Sequence, residues 1–328
     1  MRSKVNMIIN DRLYEKIKID DPIIIELIST APFQRLKKIN QYGGVNFIFP
    51  DKYQVSRYEH SIGVWYVLKT LGVDIEIQVA GLLHDIGHTA FSHMVDQAFS
   101  VQGENYHEIN KNKLKKIEEI YRILEKYNVK IIDAKEYPEI SRPLLEVDAY
   151  KLDYAVRDYV GATNRRISLG KKVLKEVKLM NRELVFTNVK TAREFALKGA
   201  RAMWYVIYEP KVAVVYQALT EILRQGSLER WVTETDLFKD EYYLLEKIKS
   251  NKDKLSRKYL DIFSKTYKVL RVSKNSKYDF CHIKLKVRYF DPQVLVNGKI
   301  KPLTEVDSDF SRELKKWIKV FEERKKGV

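Results

Sequence analysis

Residues 84–93 have the sequence His-Asp-Ile-Gly-His-Thr-Ala-Phe-Ser-His and contain three of the six histidines in the chain. Two more histidines, His60 and His107, lie nearby in sequence, and only His282 is remote. Imidazole is the commonest protein metal ligand and suits proton transfer near neutral pH. The adjacent pair His84–Asp85 offers a nitrogen and a carboxylate, which suits zinc, iron or manganese. This clustering favours a metal centre over the alternative, a structural helix that carries polar residues at its end.

The composition indicates a folded chain without disulfides. The 328 residues allow two ordinary domains or one larger domain with an appendage, and 45% are hydrophobic, which is enough for a sizeable core. The single cysteine, Cys281, excludes a disulfide framework and a cysteine-rich zinc module. No apolar run reaches the roughly 18 residues that a membrane span needs, and the N-terminus does not resemble a signal peptide. We therefore expect a cytoplasmic protein that does not associate with membranes.

The formal net charge of +16 predicts attraction to polyanions such as nucleotides or nucleic acid. The positive charge is spread along the chain rather than concentrated in one stretch, which is more typical of a solubilising surface than of a dedicated binding stripe. Binding of nucleic acid through this basic surface is therefore a secondary expectation.

The first two thirds of the chain have mostly helical patterns. Residues 4–19 alternate around an Asn-Asp turn and predict a β-hairpin. Apolar periodicity predicts helices at about 22–38, 75–86 and 111–127, with the His-Asp pair near the end of the second and Gly87 ending or bending it. A further helix is expected to open at Pro143.

The last hundred residues have a different character. Residues 283–289 alternate strictly between apolar and basic side chains, as in a half-buried strand, and Asn297–Gly298 predicts a hairpin turn. A final amphipathic helix is expected at about 307–324. We predict a mainly α fold, with a helical core and its N-terminal hairpin in residues 1–228 and a smaller α+β accessory region in residues 229–328.

The order of these motifs resembles the HD-domain metal phosphohydrolases. The resemblance is closest to the deoxynucleoside triphosphate (dNTP) triphosphohydrolases, which include the mammalian SAM- and HD-domain enzyme. It covers roughly residues 4–225 and is looser beyond them. The matching stretches are residues 33–36, 41–44, 57–63, 84–93, 107–108, 153–154 and 157–158.

The resemblance implies one divalent ion per site (Mn, Fe, Zn or Mg), held by His60, His84 and Asp85. It also implies hydrolysis of a dNTP to a deoxynucleoside and inorganic tripolyphosphate, and assembly into a homo-oligomer. One of three histidines would act as general acid at the phosphate site. The remaining implied residues are His88, His93, His107 and Arg57 around the phosphates, and Gln41, Lys151, Tyr154 and Asp158 at the triphosphate, sugar or base.

One position departs from the family pattern. The residue that matches the family's fourth metal ligand, an aspartate, is Tyr150. At about 100° per residue, Tyr150, Lys151, Tyr154 and Asp158 share a helix face. Viewed down the helix axis, the candidate substitute ligand Asp148 lies about 60° beyond Lys151. Asp148 could therefore bind the metal only if the main chain bends near it.

This departure leaves three alternatives open. The chain could be a dNTP triphosphohydrolase with three protein ligands, or a degenerate homologue that binds nucleotide or nucleic acid without turnover. It could also be an HD phosphoesterase with another phosphoester substrate.

Overall fold

The computed structural model describes residues 6–99, 106–114, 117–130, 133–164, 168–207, 209–251, 257, 260–261 and 288–325. The fold is mainly helical, with a small sheet that includes C-terminal strands, as predicted. The helices are α1 (Pro22–Ser29), α2 (Ala31–Arg35), α3 (Arg57–Leu71), α4 (Ile75–Leu82), α5 (His93–Phe99), α6 (Tyr106–Leu114), α7 (Glu118–Lys126), α8 (Ala149–Thr163), α9 (Leu169–Glu176), α10 (Val189–Ile207), α11 (Pro210–Leu228), α12 (Glu234–Leu237), α13 (Glu241–Ser250), α14 (Leu303–Val306) and α15 (Ser308–Lys325).

The N-terminal hairpin is present where the alternation predicted it. Strand β1 (Met7–Asp11) pairs antiparallel with β2 (Glu15–Ile19). The Asp11 carboxylate accepts hydrogen bonds from the backbone N–H groups of Leu13 and Tyr14, which fixes the turn between the strands. The hairpin thereby places the Tyr14 side chain, 2% exposed, against the helical core.

The centre of the core is formed by α3, α8 and α10, with α4 packed on α3. Helix α3 begins at a capping box, in which Ser56 and Glu59 satisfy each other's backbone N–H groups, and it ends at Gly72 in the left-handed conformation. Trp65 on α3 and Phe195 on α10 are fully buried. Among the residues of the candidate site, His60 lies on α3, and Asp153 and Asp158 lie on α8.

Four predicted helices have different bounds in the structure. The residues expected in one helix at 111–127 fall in α6 and α7. The helix expected at 22–38 is divided, because Thr30 has extended dihedrals and its side chain caps a new helix that has proline in its first turn. The helix expected at 75–86 ends at Leu82, so that His84–Asp85 lie in the turns after it. The helix expected from Pro143 begins at Ala149, where Asp148 is the N-cap.

A four-stranded sheet joins the middle of the chain to its C-terminal part. Its order is β3 (Val177–Met180), β4 (Glu183–Phe186), β5 (Gln293–Val296) and β6 (Lys299–Pro302), and β4 pairs with β5 in parallel. The predicted Asn297–Gly298 turn is present, with positive φ at both residues. Most of the strand predicted at 283–289 lies outside the described residues.

The segment after α11 also packs against the core. The Glu241 carboxylate, on α13, accepts hydrogen bonds from the N–H groups of Asn40 (2.9 Å) and Phe91 (3.2 Å). Phe91 and Ser92 have positive φ, a costly conformation for non-glycine residues, so this buried carboxylate helps to hold their loop. The boundary at residue 228 stays a prediction, although both the sheet and Glu241 connect the two parts.

Among the described residues, no helix combines the length and the apolar character that crossing a membrane requires.

Candidate metal and phosphate site

The structure brings His60, His84 and Asp85 together in a buried cluster. His60 lies on α3, and the other two lie in the turns after α4. The imidazole centroids of the two histidines are 5.0 Å apart, and His84 Nε2 is 3.3 Å from Asp85 Oδ1. One potential ligand atom from each residue lies within 4.8 Å of the others, so this cluster could hold a metal ion.

Hydrogen bonds fix both imidazoles in the tautomer that leaves Nε2 for a ligand. His84 Nδ1 lies 2.6 Å from the Gly81 carbonyl oxygen, which can only accept, so Nδ1 carries the proton. His60 Nδ1 lies 2.7 Å from Asp153 Oδ2. Burial disfavours ionisation of Asp153, but Arg157 holds its pKa at about 2, and the carboxylate therefore accepts. Within the described part of the chain, both Nε2 atoms have no hydrogen-bond partner, which fits a metal ion.

The charges of the cluster also suit a divalent ion. Burial lowers the pKa of His84 to about 4, so this imidazole is neutral at neutral pH. Burial opposes ionisation of Asp85, but the guanidinium of Arg57, with Nη1 2.8 Å from Asp85 Oδ2, outweighs it and lowers the pKa of Asp85 well below its usual range. The cluster offers two imidazole nitrogens and one carboxylate, a donor set common in hydrolytic metal sites.

A second group of histidines is organised around Asp96. His93 Nδ1 and His107 Nδ1 each lie 2.7 Å from Asp96 Oδ2. His88 stacks on His107 with ring centroids 4.3 Å apart, and its Nε2 is 3.4 Å from Asp85 Oδ1. The second group therefore lies directly beside the metal cluster.

Gly87 allows this close approach. A Cβ atom at residue 87 would lie 2.0 Å from the His107 carbonyl oxygen. Only glycine therefore lets α6 pack so tightly against the His84–Asp85 turn.

The two stacked imidazoles have opposite protonation preferences. Burial acts against charge on His107, but hydrogen bonds to Asp96 and Glu108 outweigh it and raise the pKa of His107 to about 9. Burial lowers the pKa of His88 well below its usual value. At neutral pH His107 is therefore protonated and His88 is neutral. A general acid must carry a proton that it can donate, and His107 meets this requirement.

A cavity of about 500 Å³ opens beside these groups. Six of the residues that were expected to bind phosphate or substrate line this cavity. These are Gln41, Arg57, His93, His107, Tyr154 and Asp158.

Asp158 is held at the cavity wall by Gln41 Nε2 (2.8 Å) and the Tyr42 hydroxyl (3.0 Å), which both donate to its Oδ1. Burial raises the pKa of Asp158 to about 7, although the hydrogen bond from Tyr42 acts in the opposite direction. This carboxyl group can therefore offer or accept a proton near neutral pH.

Two expected site residues are positioned elsewhere. Asp148 caps α8, accepts from the backbone N–H of Arg142 (2.9 Å) and pairs with Lys151, so it is not part of the metal cluster. The Lys151 ammonium donates to the Arg142 carbonyl oxygen (2.7 Å) and does not line the cavity. In this structure the two side chains pair with each other at the start of the helix, so Asp148 lies outside the metal cluster and Lys151 outside the cavity lining, and their expected roles stay predictions.

Tyr150 occupies the position that the family pattern gives to the fourth ligand. Its ring centroid lies 4.9 Å from that of His60 and 5.2 Å from that of His84, with an edge-on arrangement in both cases. Burial raises its pKa, so the hydroxyl stays protonated and is a poor ligand for a hard cation. The helix-face prediction placed this side chain correctly, next to Tyr154.

Three residues of the site were not predicted from the sequence. Asp96 follows His93 by three residues on one helix, a spacing that brings the two side chains together. Asp153 belongs to the matching stretch 153–154 without an assigned role, and in the structure it orients His60. Arg288 lines the cavity from the C-terminal part of the chain, and no local signal in the sequence relates it to the histidines.

A helical core that places His60, His84 and Asp85 beside a cavity with cationic side chains is typical of metal-dependent phosphohydrolases. The HD domain family matches residues 57–179. The uncharacterized protein YdhJ of Bacillus subtilis is 31% identical over 329 residues, which cover 98% of each chain. The chain belongs to the HD-domain family of metal-dependent phosphohydrolases.

Two further relatives match parts of the chain, and one solved structure has a similar fold over most of it. The metal-dependent phosphohydrolase cns2 of Cordyceps militaris is 33% identical over 57% of this chain and 53% of its own length. The deoxynucleoside triphosphate triphosphohydrolase SAMHD1 of Gallus gallus is 34% identical over 36% of this chain, which spans 24% of that relative. A hypothetical protein from Aquifex aeolicus has a similar fold, with a TM-score of 0.71 at 21% identity over 94% of this chain and 93% of its own.

The metal cluster can be tested with two matched aspartate variants. We expect Asp85→Asn to lose bound metal, because the site loses its carboxylate ligand and its charge. Asp148→Asn should keep the metal content of the wild-type protein, because Asp148 binds Lys151 and backbone N–H groups instead. Metal per chain is measured by plasma mass spectrometry after dialysis, with circular dichroism to check the fold. Loss of metal in the Asp148 variant, with the helices intact, would contradict this assignment.

Proposed function

We propose that the chain is a metal-dependent triphosphohydrolase that converts dNTPs to deoxynucleoside and inorganic tripolyphosphate. The observation that carries the proposal is the position of the His60, His84 and Asp85 cluster beside a cavity that also holds protonated His107 and Arg57. The similarity to SAMHD1 over 146 residues supports the choice of substrate.

His60, His84 and Asp85 would hold the divalent ion. Such an ion supplies Lewis acidity to a phosphoryl oxygen and lowers the pKa of water. The free Nε2 atoms of both histidines and the ionised carboxylate are the protein's contribution to this site. Their bonds to Asp153 and to the Gly81 carbonyl oxygen keep them in this state without rearrangement.

Arg57 would bind and orient the phosphate nearest the metal cluster. Three of its five N–H groups hold Asp85, the Ser92 hydroxyl (3.1 Å) and the Gln41 carbonyl oxygen (3.4 Å). Since these contacts fix the guanidinium plane at the cavity wall, the other two N–H groups can bind phosphate oxygens with little loss of side-chain entropy.

His107 is the residue best placed to donate a proton to the leaving oxygen. Its Nδ1 is bound to Asp96, so the proton would be donated from Nε2, which lies 3.4 Å from Glu108 Oε1. Asp96 would hold the imidazole in place and stabilise its charge, and it orients His93 through the same oxygen. Neutral His88, stacked behind His107, adds no second positive charge to the pair.

The remaining cavity wall suits a nucleoside. Tyr154 offers an aromatic face, and Gln41 and Asp158 offer an amide and a carboxyl group. The lining also includes apolar side chains of α10 and α11, such as Met203 and Val212. A sugar next to the polar groups and a base against the apolar wall would use both halves of the cavity.

Tyr150 is the observation that favours the degenerate homologue, which binds nucleotide without turnover. A buried phenol in the fourth ligand position weakens the metal site relative to the family pattern. Hydrolysis of another phosphoester is the third candidate, because HD sites share their chemistry more widely than their substrates. Formation of a homo-oligomer and binding of nucleic acid by the basic surface stay predictions.

The proposed reaction is tested by product analysis. The metal-reconstituted protein is incubated with each dNTP and with the matching ribonucleotide, in the presence of Mn²⁺, Fe²⁺, Zn²⁺ or Mg²⁺, and products are separated by ion-exchange chromatography. We expect deoxynucleoside and tripolyphosphate in equal amounts, and His84→Ala as control should form neither. Nucleotide binding without product would favour the degenerate homologue, and release of orthophosphate or pyrophosphate would show a different reaction.

The pH dependence should identify the general acid. His107 has a raised pKa, so its proton is fully present below the usual value and is lost as the pH rises through about 9. We therefore expect kcat/KM to fall above about pH 9. In Asp96→Asn the loss of the ionic partner should move this decline toward the ordinary imidazole pKa of about 6.5. An unchanged alkaline limb in that variant would exclude the His107–Asp96 pair as the source.

Two variants of Tyr150 test the fourth ligand position. Tyr150→Asp places a carboxylate beside His60 and His84, and we expect it to tighten Mn²⁺ binding and to raise hydrolysis at low metal concentration. Tyr150→Phe keeps the ring and should leave the metal affinity unchanged. Both affinities are measured by isothermal titration of Mn²⁺. Equal metal affinity in all three proteins would show that the site never depended on this position.

A further inference from the structure

The α8 side of the cavity lacks the cation that the family pattern predicts there. Tyr154 and Asp158 of α8 line the cavity. Lys151 of the same helix does not, because its ammonium is held by the Arg142 carbonyl oxygen and by Asp148. A phosphate chain that extends from Arg57 along α8 would therefore need a positive charge from elsewhere in the molecule.

We propose that Arg288, from the C-terminal part of the chain, is a phosphate-binding residue that takes over this role. The inference rests on the proposed phosphate site and assigns one wall of it to a residue outside the HD-domain match at 57–179. Arg288 lines the same cavity as Arg57, Tyr150 and Tyr154. Its charge acts on both phenols in the direction that lowers their pKa, in agreement with a position near these two side chains of α8.

The chain next to Arg288 is firmly anchored to the helical core. Phe290, 1% exposed, lies with its ring centroid 5.9 Å from that of Tyr154. A Cβ atom on Gly199 of α10 would be 2.6 Å from the Phe290 ring, so the glycine provides the space into which the ring fits. Since Phe290 is buried between α8 and α10, the residue two positions earlier is confined to the edge of the cavity.

Asp291 adds a polar anchor. Its backbone N–H donates to the Leu145 carbonyl oxygen (3.2 Å), and its carboxylate accepts from the backbone N–H (3.0 Å) and the hydroxyl (2.5 Å) of Thr304. The position of Arg288 is thus set by contacts on both the helical core and the C-terminal sheet region.

The two guanidiniums define the class of ligand. Arg57 is bound to Asp85 at the metal cluster, whereas Arg288 lies by the tyrosines of α8. Because both guanidiniums line one cavity, a ligand with several phosphates can use both of them. The arrangement therefore favours a triphosphate over a phosphate monoester, with arginine suited to bidentate contacts to its oxygens.

The test measures binding of inorganic tripolyphosphate to the full-length protein by isothermal titration, in a fixed excess of Mg²⁺ and at two salt concentrations. We expect Arg288→Ala to weaken binding about 10- to 100-fold, the range for loss of a charge-assisted hydrogen bond, and to reduce the salt dependence. Arg288→Lys should be intermediate, because it keeps the charge but not the bidentate geometry. The matched control is Arg312→Ala, an arginine in the same C-terminal part that is 75% exposed, and it should bind as the wild type does.

The outcomes separate this inference from the proposed activity. Equal binding by wild type and Arg288→Ala would overturn the role of Arg288 while leaving the triphosphohydrolase proposal in place. Binding that depends on Arg288, in a protein that releases no tripolyphosphate from dNTPs, would support the phosphate site and contradict the proposed reaction. Absence of tripolyphosphate binding by the wild type would overturn the inference.

Discussion

The metal cluster depends on one buried carboxylate. Asp153, fully buried, accepts from the Tyr14 hydroxyl (3.0 Å) and from Arg157 Nε and Nη2 (both 2.8 Å), and its Oδ2 also holds His60. A Cβ on Gly63 would lie 2.0 Å from this carboxylate, so α3 and α8 can approach only with glycine at that position. Breaking such a buried ion pair costs about 3–5 kcal/mol. The packing of α3 on α8, the position of the N-terminal hairpin and the tautomer of His60 therefore all depend on Asp153.

Carboxylates organise the imidazoles throughout the site, and each does so with a different result. Asp153 orients His60 so that its Nε2 has no hydrogen-bond partner among the described residues, whereas Asp96, supported by Glu108, raises the pKa of His107 and keeps it protonated. Asp85 lies between the two groups and is itself held ionised by Arg57. Because all these groups lie in a poorly solvated interior, small differences in partner and burial are enough to give identical side chains opposite proton affinities.

The sequence predicted the part of the site that depends on local spacing. The histidine cluster and the helix face that carries Tyr150 could be inferred, since helical periodicity fixes which side chains lie together. The sequence did not predict the partner of Lys151, because the angular position of a residue on a helix does not determine where a long flexible side chain binds. It also did not predict that Asp148 caps α8, although a carboxylate just before a helix is well suited to capping. Arg288 could not be inferred, since its contacts are between residues far apart in sequence.

The parallel pairing of β4 with β5 has a consequence for the order in which the molecule can form. Val185 is matched with Gln293, so the ladder closes a loop of about 100 residues, which carries an entropic cost that local helices do not. Contacts of such long range tend to slow folding. During synthesis, the helices around the histidines can emerge and pack well before β5 has left the ribosome. The nascent protein would therefore bring its metal ligands together for some time before Phe290 packs against α8 and α10.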